Sequence, residues 1–133
     1  MRKERKMRGF TLVELLIVLL ILGILIGLAV PRYLTALEES KKTTFCSNVR
    51  NVTSAIEVWR MQNATTAYPD LDTLNSGIIT STAYFSQLPI NPYTGNVLKA
   101  EASAPTKQGD FQYTTVEADG FYTASTNPDC GIR

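Results

Sequence analysis

Residues 10–30 read FTLVELLIVLLILGILIGLAV, and only Thr11 and Glu14 among them carry polar side chains. As a helix the run would be roughly 31 Å long at about 1.5 Å per residue, which matches the hydrocarbon core of a bilayer. Ahead of it stands Met1–Gly9, MRKERKMRG, a short basic leader. Basic residues before an apolar run hold that end in the cytoplasm, so the rest of the chain lies outside. Glu14 is the costly residue. A carboxylate at the bilayer centre costs about 2.5–3.5 kcal/mol on insertion scales. Its place near the end of the run softens that cost without explaining it. No partner for it is visible within its own subunit, so the expectation is a partner outside.

The 133 residues suffice for one small domain and an anchor. Thirteen basic and twelve acidic residues give a net +1; the leader takes five of the former and one of the latter, leaving −3 for the remainder. That balance offers no electrostatic footprint for nucleic acid. The chain has no histidine, so the commonest general base and metal ligand is missing. No nucleophile elbow, phosphate loop or Cys-x-x-Cys is present, and the expectation is a protein that is not an enzyme and needs no cofactor. Two cysteines, Cys46 and Cys130, form an even count in an exported domain, which suggests one disulfide; two buried free thiols are the alternative. A disulfide closing a loop of that length contributes roughly 4 kcal/mol in the chain-entropy account.

Amphipathic periodicity continues past Pro31 through Leu34, Leu37, Phe45, Val49, Val52, Ile56 and Trp59, with Glu38, Glu39, Lys41, Lys42 and Arg50 on much of the other side. One helix over about residues 10–63 is expected. Pro31 lacks an N–H, so the Gly27 carbonyl loses its helical partner, and Gly23 and Gly27 add backbone freedom. Gly23-x-x-x-Gly27 also matches a membrane-helix dimer motif, but softening of the helix is the favoured reading. Tyr33, Phe45 and Trp59 are read as core packing rather than as an electron path, because Tyr33 and Phe45 lie twelve residues apart, roughly 18 Å along a helix.

After the helix, residues 64–96 read as an irregular loop in which Asp70 caps a short run from Leu71 to Leu74. Leu88-Pro89 and Asn91-Pro92-Tyr93-Thr94-Gly95-Asn96 are rich in turn formers. Three strands are expected at Val97–Ala100, Phe111–Val116 and Phe121–Ser125, the last two joined by a turn at Glu117-Ala118-Asp119-Gly120. The fold class is α+β: a long N-terminal helix, half transmembrane and half amphipathic, packed against a small antiparallel sheet. The tail through Asn127-Pro128-Asp129-Cys130 would return to Cys46.

Three readings of the N-terminus compete. A secretory signal cut before Val30 would release a secreted binding domain, but the apolar run is long for that and Glu14 is unexplained. A permanent anchor for a membrane-tethered binding domain explains the length and the flank, and leaves Glu14 to snorkelling. In the third reading, Gly9-Phe10-Thr11-Leu12-Val13-Glu14 closely resembles the cleavage motif of type IV prepilins and pseudopilins with a class III-type leader: a glycine, often a phenylalanine, and glutamate as the fifth mature residue. Gly23 and Pro31 also fall where many members have helix-weakening residues.

The resemblance implies a domain organisation of leader 1–9, transmembrane and filament-core helix 10–30, amphipathic half 31–63 and globular head 64–133. It implies cleavage between Gly9 and Phe10 by a prepilin peptidase that also N-methylates the new Phe10 amine, and release from an inner-membrane assembly platform. Glu14 would then pair with the Phe10 amine of a neighbouring copy, and softening at Gly23, Gly27 and Pro31 would help the subunits pack. The product would be a helical homo-oligomer, a type IV pilus-like filament serving in motility or adhesion. The alternative is a pseudopilus of a type II secretion or DNA-uptake system. The precursor would be a single-pass inner-membrane protein with its head outside; the filament would be extracellular or periplasmic. Major pseudopilins, which this chain resembles, hold Ca²⁺ in a loop near the C-terminus. Asp70, Asp72, Asp110, Asp119 and Asp129 are scattered here, form no loop signature, and read as ordinary loop acids, so no metal is expected.

Overall fold

The computed structural model describes residues 9–116 and 121–132. The leader before Gly9 and the expected turn at 117–120, with Asp119, lie outside the described residues. One helix, α1, runs Leu12–Gln62. Contacts divide the chain into two compact units, one ending at Glu38 and the other beginning at Glu39.

The first unit is helical from Leu12 onward. Gly9 to Glu38 are all exposed, and the segment is long and apolar enough to cross a membrane. The helix continues through Pro31 without a break. Thr35 Oγ1 donates to the Pro31 carbonyl at 3.2 Å. Tyr33, Leu34 and Leu37, expected on the packed face, are exposed. The physical reason is that this unit is built from helix, and one helix offers itself no second layer to bury against.

The second unit is α+β. Phe45, Val49, Val52 and Ile56 recur at spacings of four, three and four on α1, which keeps them on one face, and all four are fully buried. They share a core with Leu74, Ile78, Ile79, Leu98, Phe111 and Tyr113. Each such side chain contributes about 1.5–3 kcal/mol by leaving water. Trp59 packs at the edge of this core.

The helix ends in a Schellman motif. The Thr65 N–H donates to the Arg60 carbonyl and the Ala64 N–H to the Met61 carbonyl, both at 3.3 Å. The motif places Ala64 at φ +48°, a left-handed conformation in which a Cβ is crowded. Beyond it, Asp70 Oδ1 accepts from the Thr73 N–H at 2.9 Å. That hydrogen bonding with Thr73 holds the Asp70 carboxyl below its ordinary range. The helical run that Asp70 caps is longer than the expected Leu71–Leu74: it continues to Ile79, with Thr73–Ile79 in π-helical form, so that Leu74, Ile78 and Ile79 all reach the core.

The sheet comprises β1 (Ala100–Glu101), β2 (Asp110–Val116) and β3 (Phe121–Asn127), in the order β1-β2-β3. The expectation of an all-antiparallel sheet is corrected. β2 and β3 are antiparallel, with Tyr113 opposite Ala124 and Val116 opposite Phe121, but β1 is parallel to β2. The first strand also starts at Ala100 rather than Val97. Val97 bridges Ile90 instead, and the Leu98 N–H donates to the Pro89 carbonyl at 2.7 Å, so this stretch belongs to the preceding loop. The Asn75 amide brackets Ala100, accepting from its N–H at 2.9 Å and donating to its carbonyl at 3.0 Å. Only two residues of β1 pair with β2, and a loop over 102–109 carries the chain back far enough to restart in the same direction.

That loop is closed by Asp110, whose Oδ2 accepts from the Lys107 N–H at 2.7 Å and the Thr106 N–H at 2.9 Å. These bonds, Lys107's above all, keep its carboxyl below the ordinary value. Gly109 sits at φ +93°, and a Cβ there would lie 2.9 Å from the Asn91 amide. The closeness has a purpose: Asn91, 5% exposed, donates from Nδ2 to the Gly109 carbonyl at 2.8 Å and accepts at Oδ1 from the Tyr93 N–H at 3.0 Å. Tyr113 donates its hydroxyl to the Pro69 carbonyl at 2.7 Å, and burial pushes its phenol pKa up.

Because Ala64 holds a position suited to glycine, Ala64→Gly is expected to stabilise the folded chain by about 1 kcal/mol, read as a higher denaturant midpoint at unchanged slope. No gain would show that the left-handed geometry at the helix end is not populated.

Candidate functional site

Gly9, Phe10 and Thr11 precede the first turn of α1 and are not helical. Phe10 is 87% exposed. Gly9, Phe10, Thr11 and Glu14 together line one open hollow. Thr11 and Glu14 bond reciprocally. The Thr11 N–H donates to Glu14 Oε2 at 3.0 Å, and the Glu14 N–H donates to Thr11 Oγ1 at 3.3 Å. This is a capping box, with Thr11 at the N-cap and Glu14 at the third helical position.

The expectation that Glu14 lacks a partner in its own subunit is therefore corrected. The signal is present in the sequence as Thr-x-x-Glu before an apolar run, where the same residues also carry the stronger cleavage motif. The physical content of the correction is specific. An amide donor satisfies one carboxylate oxygen and fixes where the side chain points. It supplies no countercharge, so the cost of placing an ionised group in an apolar medium is reduced and not cancelled. Glu14 also lies in the first turn, where the helix dipole favours a negative charge.

Gly23, Gly27 and Pro31 lie inside α1, and a Cβ at either glycine would meet nothing within 4 Å. The second unit holds the disulfide. Cys46 on α1 is joined to Cys130 across a sequence separation of 84, with the Cα atoms 5.3 Å apart. The tail is tied further by the Cys130 N–H donating to Thr126 Oγ1 at 3.0 Å and by Arg50 Nη2 donating to the Cys130 carbonyl at 3.3 Å.

Among the described residues, Asp70, Asp72, Asp110 and Asp129, singled out as oxygen donors, are not brought together. Asp70 caps the segment after it and Asp110 closes its loop, while Asp129 Oδ1 accepts from the Gly131 N–H at 2.8 Å. Asp72 is exposed. Among the described residues no three acidic or cysteine side chains converge.

A second constellation was not foreseen. Arg60 stacks over Tyr68 with its guanidinium carbon 4.1 Å from the ring centroid, and donates to Glu57 Oε2 at 2.9 Å and to the Tyr68 hydroxyl at 2.6 Å. Tyr68 meets Tyr122 at 4.8 Å between centroids, and Tyr122 meets Tyr113 at 5.3 Å. Sequence separation hides such a cluster, since its members come from α1, the following loop, β2 and β3.

Residues 5–30 match the family described as the prokaryotic N-terminal methylation motif. The chain is 27% identical to type II secretion system core protein G of Pseudomonas aeruginosa, over 94% of this chain and 93% of that one. It is 27% identical to the protein of the same name from Vibrio cholerae, over 90% of this chain and 86% of that one. For the same-named protein of Escherichia coli, identity is 33% over 47% of this chain and 43% of that one. No solved structure matches the chain significantly.

Two outcomes test the geometry. Thr11→Val removes the hydroxyl cap and is expected to weaken the first turn by about 0.5–2 kcal/mol; amide exchange at Glu14 in micelles should speed up while exchange in mid-helix stays unchanged. Replacing both cysteines with alanine should cost about 2–5 kcal/mol, measured as a lowered urea midpoint. An unchanged midpoint would mean that the bond Cys46–Cys130 does not hold the tail.

Proposed function

We propose, on the premise that the chain belongs to the type IV pilin and pseudopilin family, that it is a pseudopilin-type structural subunit of a helical filament. The observation that carries this is one segment with two properties. It is an apolar helix exposed along its whole length, and its single carboxylate lies within the matched methylation motif. Such a helix is stable in a membrane or among copies of itself, and not in water.

The sequence of events follows from charge. In the precursor the Phe10 nitrogen is a neutral peptide amide. Cleavage after Gly9 by a prepilin peptidase turns it into an ammonium, which N-methylation leaves protonated. Glu14 is already aimed by Thr11. The ammonium of a neighbouring copy then supplies the countercharge that the capping box does not, and a paired charge is tolerated in an apolar core where an unpaired one is not. Docking at one axial register is thereby favoured. Weakened backbone at Gly23, Gly27 and Pro31 lets the helices adjust as they pack.

Full-length likeness to core protein G supports the pseudopilin form over the long pilus. On this reading the precursor is a single-pass inner-membrane protein with its disulfide-bearing unit outside, drawn into a periplasmic filament by an assembly platform. The role is structural rather than catalytic.

Mass spectrometry of the mature chain should find an N-methylated Phe10 at its start. Glu14→Ala and Glu14→Val should insert in the membrane normally yet give little filament. Normal filament yield from both would sink the pairing. A mature chain starting at Met1 or Val30 would sink the family-type processing. Electron microscopy of assembled material separates short pseudopili from long pili.

A further inference from the structure

The disulfide stands beside an open hollow of about 250 Å³ lined by Lys42, Thr43, Cys46, Arg50, Asp129 and Cys130. Lys42, Cys46 and Arg50 follow one another at spacings of four on α1. That spacing places them along one stripe of the helix, with about 5–6 Å between successive Cβ atoms. Cys46 thus has a cation one turn before it and another one turn after it. The tail brings the opposite sign, since Asp129 precedes Cys130 and lines the same hollow. Lys42, Arg50 and Asp129 are the charged side chains of this lining.

The tail is also docked by contacts that need no sulfur. The Cys130 N–H donates to Thr126 Oγ1 at 3.0 Å, and the Cys130 carbonyl accepts from Arg50 Nη2 at 3.3 Å. Thr126 is buried in β3, and Ile132 packs against the core beyond the cysteine. The peptide groups on both sides of Cys130 are therefore held, one by the sheet and one by the helix turn that follows Cys46. Bringing two residues together across a sequence separation of 84 is entropically costly for a free chain. These contacts supply that closure independently of the sulfurs.

We propose that this hollow is a thiol-oxidation site with a fixed order of reaction: Cys46 takes the oxidising equivalent from a donor disulfide, Cys130 resolves it, and Arg50 is a positioning residue that serves both steps. The Cys46 thiolate attacks one sulfur of the donor. The donor S–S bond breaks, and its other sulfur leaves as a thiolate that takes up a proton. A mixed disulfide then stands on Cys46. Cys130 gives its proton to solvent, and its sulfur attacks the Cys46 sulfur. The second donor sulfur is expelled and protonated in turn. Two cysteine thiols are oxidised to one disulfide, and the donor disulfide is reduced to two thiols. The order follows from charge, because the thiolate is the nucleophile and nearby cations favour it. Lys42 and Arg50 favour it at Cys46, and Asp129 disfavours it at Cys130. Both cations are exposed, so solvent screens them and the bias is severalfold. The second step depends on reach, which the Arg50 bond to the Cys130 carbonyl provides. The inference does not depend on the filament reading.

The full chain in micelles, reduced and then exposed to oxidised glutathione at pH 7, tests this. Cys130→Ser, which leaves Cys46, should form its glutathione adduct about threefold or more faster than Cys46→Ser, which leaves Cys130. The difference should shrink in guanidinium, where the cations no longer flank one sulfur. Lys42→Gln should slow the first step alone. Arg50→Gln should slow it and also let the mixed disulfide on Cys46 accumulate, as seen by iodoacetamide trapping and peptide mapping. A merely structural role would not split the two steps in this way. Equal adduct rates for the two single-cysteine variants, a mixed disulfide trapped mainly on Cys130, or closure of Arg50→Gln at the unaltered rate would each overturn the proposal. Circular dichroism of the reduced chain guards against loss of the fold. A reduced chain without the sheet signal overturns it too, because the docking of the tail would then depend on the bond.

Discussion

An apolar helix surface with nothing against it is the constraint from which the rest follows. From Phe10 to Val30 every leucine, isoleucine and valine is exposed, and each such side chain is worth about 1.5–3 kcal/mol when removed from water. No domain of this size offers enough net stability to leave that surface wet. The segment calls for an apolar environment, which lipid or copies of itself would supply. Both environments are apolar, so moving between them costs little in hydrophobic terms. What distinguishes them is the treatment of charge.

Thr11 and Glu14 operate on that distinction. The capping box supplies a hydrogen bond and a direction, and leaves the charge unbalanced. A fully internal ion pair would remove any need for a neighbour; a carboxylate without a donor would swing freely and select no register. The observed arrangement lies between these cases. On the proposed reading it readies a ligand for the cation that cleavage after Gly9 would create.

In the second unit the physics is ordinary core formation in a small domain with limited apolar area. Six buried residues of α1 supply one side of the core, and the tail is brought back to the helix by the disulfide and the Arg50 contact. Polar groups do the fine positioning. Asn91 fills the space that Gly109 leaves, Asn75 occupies the outer edge of β1, and Asp110 closes the loop that lets β1 and β2 run parallel. Asp70, Asp110 and Asp129 each accept a backbone N–H and so fix the segment or loop that follows or precedes them.

The sequence by itself determined the apolar helix, the α+β class, the hairpin strands and the identity of the motif at Gly9–Glu14. These are local properties: periodicity, length and residue type decide them over a few turns, whatever the rest of the chain does. It also contained the capping box, four residues long and equally local, which the stronger motif overlay. Only the tertiary structure decided the parallel β1, the π-helical form of Thr73–Ile79, the exposure of Tyr33 and the stack of Arg60 with three tyrosines. Each of those depends on which surface a residue meets across tens of positions in the chain. A two-residue strand has no signature of its own, and Asn75 selects Ala100 as its partner from 25 residues away.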